Sequence, residues 1–124
     1  MNGVDFLADT NVLIYALEGH PVVSGITHCS IAISVISEIE LLGKKGILPH
    51  EISEIRSLLD DCTVISLTDE IKNIAIALKQ VYSIKLPDAV IAATSIYFGW
   101  PLVTADTDFK TVKDINLVLL DLIR

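Results

Sequence analysis

The sequence predicts an α/β protein, a three-layer sandwich in which helices cover both faces of a five-stranded parallel sheet. Short apolar runs rich in β-branched residues alternate with segments of helical periodicity along the chain, as they do in successive βα units. The sequence contains no internal repeat, low-complexity stretch or linker, and a chain of 124 residues is long enough for one packed core. We therefore expect a single domain over residues 1–124.

The first half of the chain predicts two strands, each followed by a helix. The first strand covers residues 4–8, and the capping sequence Asp9-Thr10-Asn11 leads into a helix over residues 12–17. The second strand covers residues 28–33, and helical periodicity follows over residues 34–42. The remaining elements are a helix that begins at Pro49, a strand over 62–67, a helix capped by Thr68, a helix over 88–98 after Pro87, and strands over 101–104 and 116–122.

Composition and charge limit the possible functions. Hydrophobic residues make up 52% of the chain and the mean hydropathy is +0.59, which favours apolar surface buried against a second copy of the chain, although strands apolar on both faces also contribute. The net charge of −7 argues against a simple electrostatic nucleic-acid binder. No basic signal-peptide segment is visible, and the longest run without a charged residue or a histidine, residues 89–105, is too short to cross a bilayer. We expect a cytoplasmic protein in which Cys29 and Cys62 are reduced.

Acidic residues occur where a parallel sheet usually binds its ligands, beyond the carboxyl ends of the strands. Asp9 directly follows the first strand, and Glu40 lies in the helix after the second strand. Asp106 and Asp108 follow the fourth strand. Asp88 begins the preceding helix, and periodicity alone does not direct that helix end to the site.

A cluster of this kind has a clear chemical use. Carboxylates that are crowded together repel one another unless a cation lies among them. Mg²⁺ and Mn²⁺ are hard cations that prefer oxygen ligands, and they can activate a water and stabilise an oxyanion leaving group. The cluster therefore indicates metal-dependent hydrolysis of a phosphodiester. The spacing of the cysteines and histidines does not support a zinc site or a catalytic dyad.

Each acid taken alone also has a structural interpretation. Asp9 and Asp88 could cap a helix or complement the dipole of its first turn. Glu40 could close a capping box with Ser37. Asp106 and Asp108 could simply form turns. The functional interpretation rests on their joint occurrence along the chain.

Four stretches of sequence carry a resemblance to a known family. They are residues 8–15 (ADTNVLIY), 34–43 (SVISEIELLG), 87–94 (PDAVIAAT) and 103–109 (VTADTDF). In these stretches and in their order, the chain resembles PIN-domain ribonucleases, and most closely the VapC-type toxins of bacterial toxin–antitoxin pairs. One stretch alone would be a weak signal, whereas the four together cover the chain nearly from end to end.

The resemblance implies a fold, a metal site and partners. It implies a PIN-like α/β/α domain with strand order 3-2-1-4-5, a homodimer, and a small antitoxin that covers the acidic site. It also implies that four carboxylates ligate Mg²⁺ or Mn²⁺ for cleavage of RNA, with Asn11 and Thr104 orienting them. These four are Asp9, Glu40, Asp88 and Asp106. The activity expected is that of an endoribonuclease, the toxin of a type II pair.

Two assignments stay open at this stage. Glu38 and Glu40 are two residues apart, about 200° around a helix, so only one can face the site. Only the family motif selects Glu40. Asp108 is either a further metal ligand or a residue that orients Asp106.

Other functions fit the sequence less well. A phosphoacceptor receiver domain would need paired acids after the first strand, but here Ala8 precedes the single Asp9. A PIN-like module that only binds partners would not need all four acids. Five exposed lysines could guide flanking phosphates, although simple solvation is the more common role of such residues: Lys44, Lys45, Lys85, Lys110 and Lys113.

Overall fold

The computed structural model describes residues 3–121 of the chain. Within this range five strands form one parallel sheet in the order β3-β2-β1-β4-β5. The strands are β1 (Phe6–Ala8), β2 (Ile31–Ser34), β3 (Cys62–Ile65), β4 (Leu102–Thr104) and β5 (Leu117–Leu119). The predicted fold class and strand order are confirmed.

Helices cover both faces of the sheet. The five α-helices are α1 (Thr10–Leu17), α2 (Val35–Leu42), α3 (Pro49–Asp60), α4 (Asp69–Val81) and α5 (Leu86–Phe98). Two 3₁₀ helices, Pro21–Val23 and Thr107–Thr111, lie in the connections. No helix of the described range is long and apolar enough to span a membrane.

The buried side chains form one cluster on each face of the sheet. Alternate residues of a strand point to opposite faces, so Leu7 packs with α4 and α5, whereas Phe6 and Ala8 pack with α1 and α3. Helix α5 is buried along seven consecutive residues, Ala89 to Ser95, which explains why its sequence is apolar on nearly every face. This central helix fixes the position of its own amino end, which carries Asp88.

The strands are shorter than the sequence predicts, and the reason is the length of their neighbours. Predicted strand 62–67 ends at Ile65, because its partner Ser34 is the last residue of β2 before the chain turns into α2. Residues 28–30 are outside β2, and the hydrogen bond from the backbone N–H of Cys29 to the carbonyl of Ile26 holds His28 and Cys29 in a turn. Cys29 is therefore not in a strand, contrary to the prediction. The predicted end of the fifth strand, at residue 122, lies outside the described residues.

Candidate active site

The carboxyl ends of β1, β2 and β4 lie at one edge of the sheet, and each strand ends at or just before a residue that caps a helix. Asp9 caps α1, Ser34 caps α2, and Asp106 caps the 3₁₀ helix Thr107–Thr111. An open depression of about 330 Å³ lies at this edge. Its lining includes all four carboxylates that the sequence singled out, namely Asp9, Glu40, Asp88 and Asp106.

Asp9 is the most deeply buried of these acids, with 5% of its surface exposed. Its Oδ2 accepts a hydrogen bond of 2.7 Å from the hydroxyl of Thr104, and its Oδ1 accepts one of 2.8 Å from the backbone N–H of Thr10. Burial raises the pKa of Asp9, and the charges of Asp106 and Glu40 raise it further, while the two hydrogen bonds oppose this change. The two hydrogen bonds hold the side chain of Asp9 in one orientation.

Thr104 links two of the acids. Its hydroxyl donates to Asp9 and accepts a hydrogen bond of 2.9 Å from the backbone N–H of Asp106. Because Thr104 is the last residue of β4 and is fully buried, its position is set by the sheet. Asp106 Oδ1 in turn accepts a hydrogen bond of 2.9 Å from the N–H of Asp108.

Glu40 approaches the depression from α2. The hydroxyl of Thr10 donates to Glu40 Oε1 over 2.6 Å, and it lies 2.8 Å from the hydroxyl of Ser37. Since the single hydroxyl proton of Thr10 is committed to Glu40, Ser37 donates to Thr10. Glu38 does not line the depression, and its Oε2 lies 3.5 Å from Nη1 of Arg56 on α3.

The geometry excludes one of the structural interpretations of Glu40. The cap of α2 is Ser34, whose Oγ accepts a hydrogen bond from the N–H of Ile36. Ser37 lies inside the helix and bonds to Thr10, so it forms no capping box with Glu40. Thr10 and Ser37 are polar residues of the site that the sequence interpretation missed.

Asp88 lies in the first turn of α5 and is half-buried. Its pKa is raised to about 6, first by burial and then by the negative charges of Asp9, Asp106 and Glu40, with Lys85 opposing them. The amino end of α5, which periodicity could not place, therefore belongs to the same electrostatic cluster as the other three acids.

The remaining candidates lie at the margins. Asp108 is exposed and lines a smaller neighbouring depression, of about 80 Å³, that also includes Asp88. Asn11 lines the main depression, and its Oδ1 accepts a hydrogen bond of 3.4 Å from the backbone N–H of Ala105. Cys29 and Cys62 are both free thiols, and they line a separate cavity that also contains Ile31, the first residue of β2.

The donor set suits a hard divalent cation. The four acids offer only carboxylate oxygens, and the pKa values of Asp9 and Asp88 are raised first by burial and then by the charges of the neighbouring acids. Over residues 3–121, no three acidic, imidazole or thiol side chains are arranged to hold one ion. Binding an ion with three of these side chains would therefore need rotation of a carboxylate or a bridging water.

Comparison with known proteins agrees with this architecture. A family model described as the PIN domain matches residues 6–115. One chain of a toxin–antitoxin complex from Klebsiella pneumoniae is 31% identical, with 91% of this chain and 95% of that chain covered and a TM-score of 0.79. No curated protein matches the chain.

Two further solved structures share the fold at lower identity. A chain of VapBC2 from Rickettsia felis, bound to a promoter DNA fragment, is 23% identical (94% and 98% covered, TM-score 0.75). A chain of VapBC-1 from nontypeable Haemophilus influenzae is 22% identical (92% and 96% covered, TM-score 0.77). The family model covers most of the chain, and the chain therefore belongs to the PIN-domain family.

Proposed function

We propose that the protein is a metal-dependent endoribonuclease and the toxin of a type II toxin–antitoxin pair. The observation that carries this proposal is that four carboxylates from four separate segments line one open depression. Membership of the PIN-domain family and the similarity to a toxin–antitoxin chain support a nuclease toxin. The finer points, RNA as substrate and Mg²⁺ or Mn²⁺ as cofactor, are part of the proposal.

Asp9, Glu40, Asp88 and Asp106 would hold the metal, which supplies an activated water and stabilises the charge that develops on the leaving oxygen. Asp9 is the best-positioned of these acids, because Thr104 and the N–H of Thr10 fix both of its oxygens. Thr10 similarly orients Glu40. Single-stranded or looped RNA suits the site, because its exposed backbone can enter a depression that a duplex cannot.

The decisive experiment is an RNA cleavage assay on purified protein. We expect cleavage with Mg²⁺ or Mn²⁺, and its loss on chelation or in Asp9→Asn, which keeps the size of the side chain but removes the charge. Asp60→Asn, which removes an exposed carboxylate from the end of α3, is the matched control and should cut like wild type. Equal cleavage by chelated protein or by Asp9→Asn would exclude this mechanism.

A binding measurement separates the enzyme from an inert PIN-like module. Calorimetric titration of wild type with Mn²⁺ should give binding heat that disappears in Asp9→Asn and persists in Asp60→Asn. An inert module would give no such difference. Stable labelling of one aspartate by a small phosphodonor would instead favour the receiver-domain alternative.

The surface next to the depression suits a protein partner, which we propose is the antitoxin. A groove of about 400 Å³ between α1, α2 and α3 shares Ile14, Glu40 and Leu41 with the acid depression. One antitoxin segment would occupy this groove and extend an Arg or Lys into the acids as a plug. The partner encoded by a neighbouring gene should co-purify with the toxin and inhibit cleavage. Harmless expression of an active-site-intact chain alone would contradict the toxin role.

We also propose a homodimer, which is supported by exposed apolar side chains on the α4–α5 side. Ile76 and Leu86 are 50% and 62% exposed and line one shallow depression with Leu67. Burial of this surface would account for the high mean hydropathy. Light scattering after size exclusion should give twice the chain mass, and Ile76→Lys should shift it to one chain. A wild-type monomer at micromolar concentration would contradict this proposal.

A further inference from the structure

The two sides of the acid depression carry opposite local charge. On the side of the groove, Glu18, Glu51 and Glu54 form what we call the acidic flank. The one lysine that lines this groove, Lys44, is bound to Glu51 Oε2 over 2.9 Å. Three carboxylates thus stand against one lysine that is already paired.

Another side of the depression, which adjoins it at Asp88 rather than at Glu40, carries three exposed lysines that we call the lysine flank: Lys85, Lys110 and Lys113. Lys85 immediately precedes α5 and lines the small depression that contains Asp88 and Asp108. Its ammonium group makes no hydrogen bond or salt bridge within residues 3–121.

Lys110 and Lys113 lie on the segment that packs beside the turn before α5. Lys110 belongs to the 3₁₀ helix Thr107–Thr111, whose Phe109 lines the same small depression as Lys85. The backbone N–H of Lys113 lies 3.4 Å from the hydroxyl of Tyr82, at the end of α4. Apart from the site acids Asp88 and Asp106, the carboxylates of this flank are Asp108 and Asp114, so three lysines stand against two further carboxylates.

A flexible polyanion that enters the depression experiences these local charges rather than the distant ones. The Debye length is about 8 Å at physiological ionic strength, so exposed charges beyond that distance are largely screened. The acidic flank therefore repels the phosphates on either side of the scissile one, and the lysine flank attracts them. In a chain with a net charge of −7, lysines outnumber carboxylates on the lysine flank when the four acids of the site are set aside.

We propose that the RNA backbone passes over the lysine flank, with Lys85 and Lys113 contacting phosphates next to the scissile one, while the acidic flank is left to the protein partner. This inference rests on the proposed ribonuclease function. It assigns the substrate to one side of the site. Of the five candidate lysines, the three of the lysine flank would attract the substrate, and Lys44 and Lys45 would not.

The test is binding of a short fluorescent single-stranded RNA, measured by anisotropy in an Asp9→Asn background so that the probe is not cut. Lys85→Ala and Lys113→Ala should each weaken binding by about threefold to tenfold. Each should also reduce the slope of log Kd against log salt concentration by about 0.7, the value for one phosphate contact on a single strand. Lys85→Arg should retain most of the affinity.

Lys45→Ala removes the same charge from the turn after α2, and it should leave both the affinity and the salt slope unchanged. Equal weakening by Lys45→Ala and Lys85→Ala would overturn the proposed path, because it would show a response to net charge only. Unchanged binding in both lysine-flank variants would overturn it as well. If the wild type cleaves RNA with Mg²⁺ while these outcomes occur, the path is wrong and the proposed activity stands.

Discussion

The two ends of the sheet are built from the same short strands but differ in chemistry. At the carboxyl edge, β1, β2 and β4 lead directly into helix caps, so polar side chains and helix N–H groups collect there, and Asp9 is buried among hydrogen bonds. At the amino edge, a cavity of about 100 Å³ is lined mainly by apolar side chains and by the two thiols. The comparison teaches that the side chains on which the proposed function rests collect at the edge where strands become helices, while the other edge contributes packing.

The largest effect is expected at Thr104, whose hydroxyl bonds to both Asp9 and Asp106 at the carboxyl edge. Thr104→Val keeps the shape but leaves Asp9 Oδ2 without its donor and the N–H of Asp106 without its acceptor. Loss of a residue that orients metal ligands typically costs about tenfold to a hundredfold in activity. We expect a fall of that size in the rate of RNA cleavage at saturating Mn²⁺. Thr104→Ser retains the hydroxyl and should restore most of the rate, whereas equal loss in both variants would point to packing instead.

At the amino edge, we expect a substitution to lower the stability of the fold and to leave the cleavage activity nearly unchanged. Val23 is 3% exposed and lines the cavity there, and Val23→Ala should lower the free energy of unfolding by about 1–2 kcal/mol through lost burial. Cleavage per folded molecule should stay within about twofold of wild type, because no hydrogen bond of the acid site changes. Urea unfolding tests the expected loss of stability, and cleavage measured well below the melting temperature tests the retained activity. A large loss of activity without a loss of stability would refute the separation of the two edges.

The features that the sequence could predict are those that depend on local patterns rather than on contacts between distant residues. Strand and helix alternation follows from local patterns, and it gave the elements in the right order, with caps such as Thr68 before α4. Strand ends depend on neighbours in space, so the end of β3 at Ile65 could not be read from its own residues. The turn that excludes Cys29 from β2 has a local origin instead, because the N–H of Cys29 bonds to the carbonyl of Ile26 within the loop.

For a related reason, the sequence predicts the acids of the site but not every hydroxyl group that bonds to them. The family motifs selected four acids that do line one depression, but hydroxyl partners distant in the chain left no local signal. Thr10 meets Ser37 and Glu40, which are 27 and 30 residues away, and it was interpreted only as part of a helix cap. The choice between Glu38 and Glu40 rests on the family motif alone, because the contacts that separate them, Thr10 with Glu40 and Arg56 with Glu38, join residues distant in the chain.

A smaller effect is expected at this hydroxyl pair. Thr10→Val keeps the backbone N–H that bonds to Asp9 but removes the donor to Glu40 and the acceptor for Ser37. Because Glu40 is exposed and can find water instead, we expect only about a threefold to tenfold loss of cleavage. Ser37→Ala, which removes only the buried hydroxyl that donates to Thr10, should lose less than Thr10→Val. An effect of Ser37→Ala equal to that of Thr10→Val would show that the two hydroxyls act as one unit.

The smallest effect concerns the stability of the metal-free protein as a function of pH. The pKa of Asp88 is raised from 3.8 to about 6, first by burial and then by Asp9, Asp106 and Glu40. A carboxyl group whose pKa is higher in the folded state than in the unfolded state binds its proton more tightly when folded, so it destabilises the fold as it ionises. This loss develops as the pH rises from about 4 to about 6 and is constant above that range. Asp88→Asn lacks it.

The melting temperature of Asp88→Asn, measured in chelator, should therefore exceed that of wild type by an amount that grows from about pH 4 to about pH 6 and then stays constant. Because Asp88 is only half-buried, water screens part of the repulsion, and we expect a shift of a few degrees at most. Asp60→Asn is the control for the loss of one carboxylate outside the acid cluster. Added Mn²⁺ should reverse the difference above about pH 6, since an ion held by the acids stabilises wild type more than the variant. A difference that is constant with pH, or that shrinks as pH rises, would mean that burial and the neighbouring acids of the carboxyl edge do not raise the pKa of Asp88.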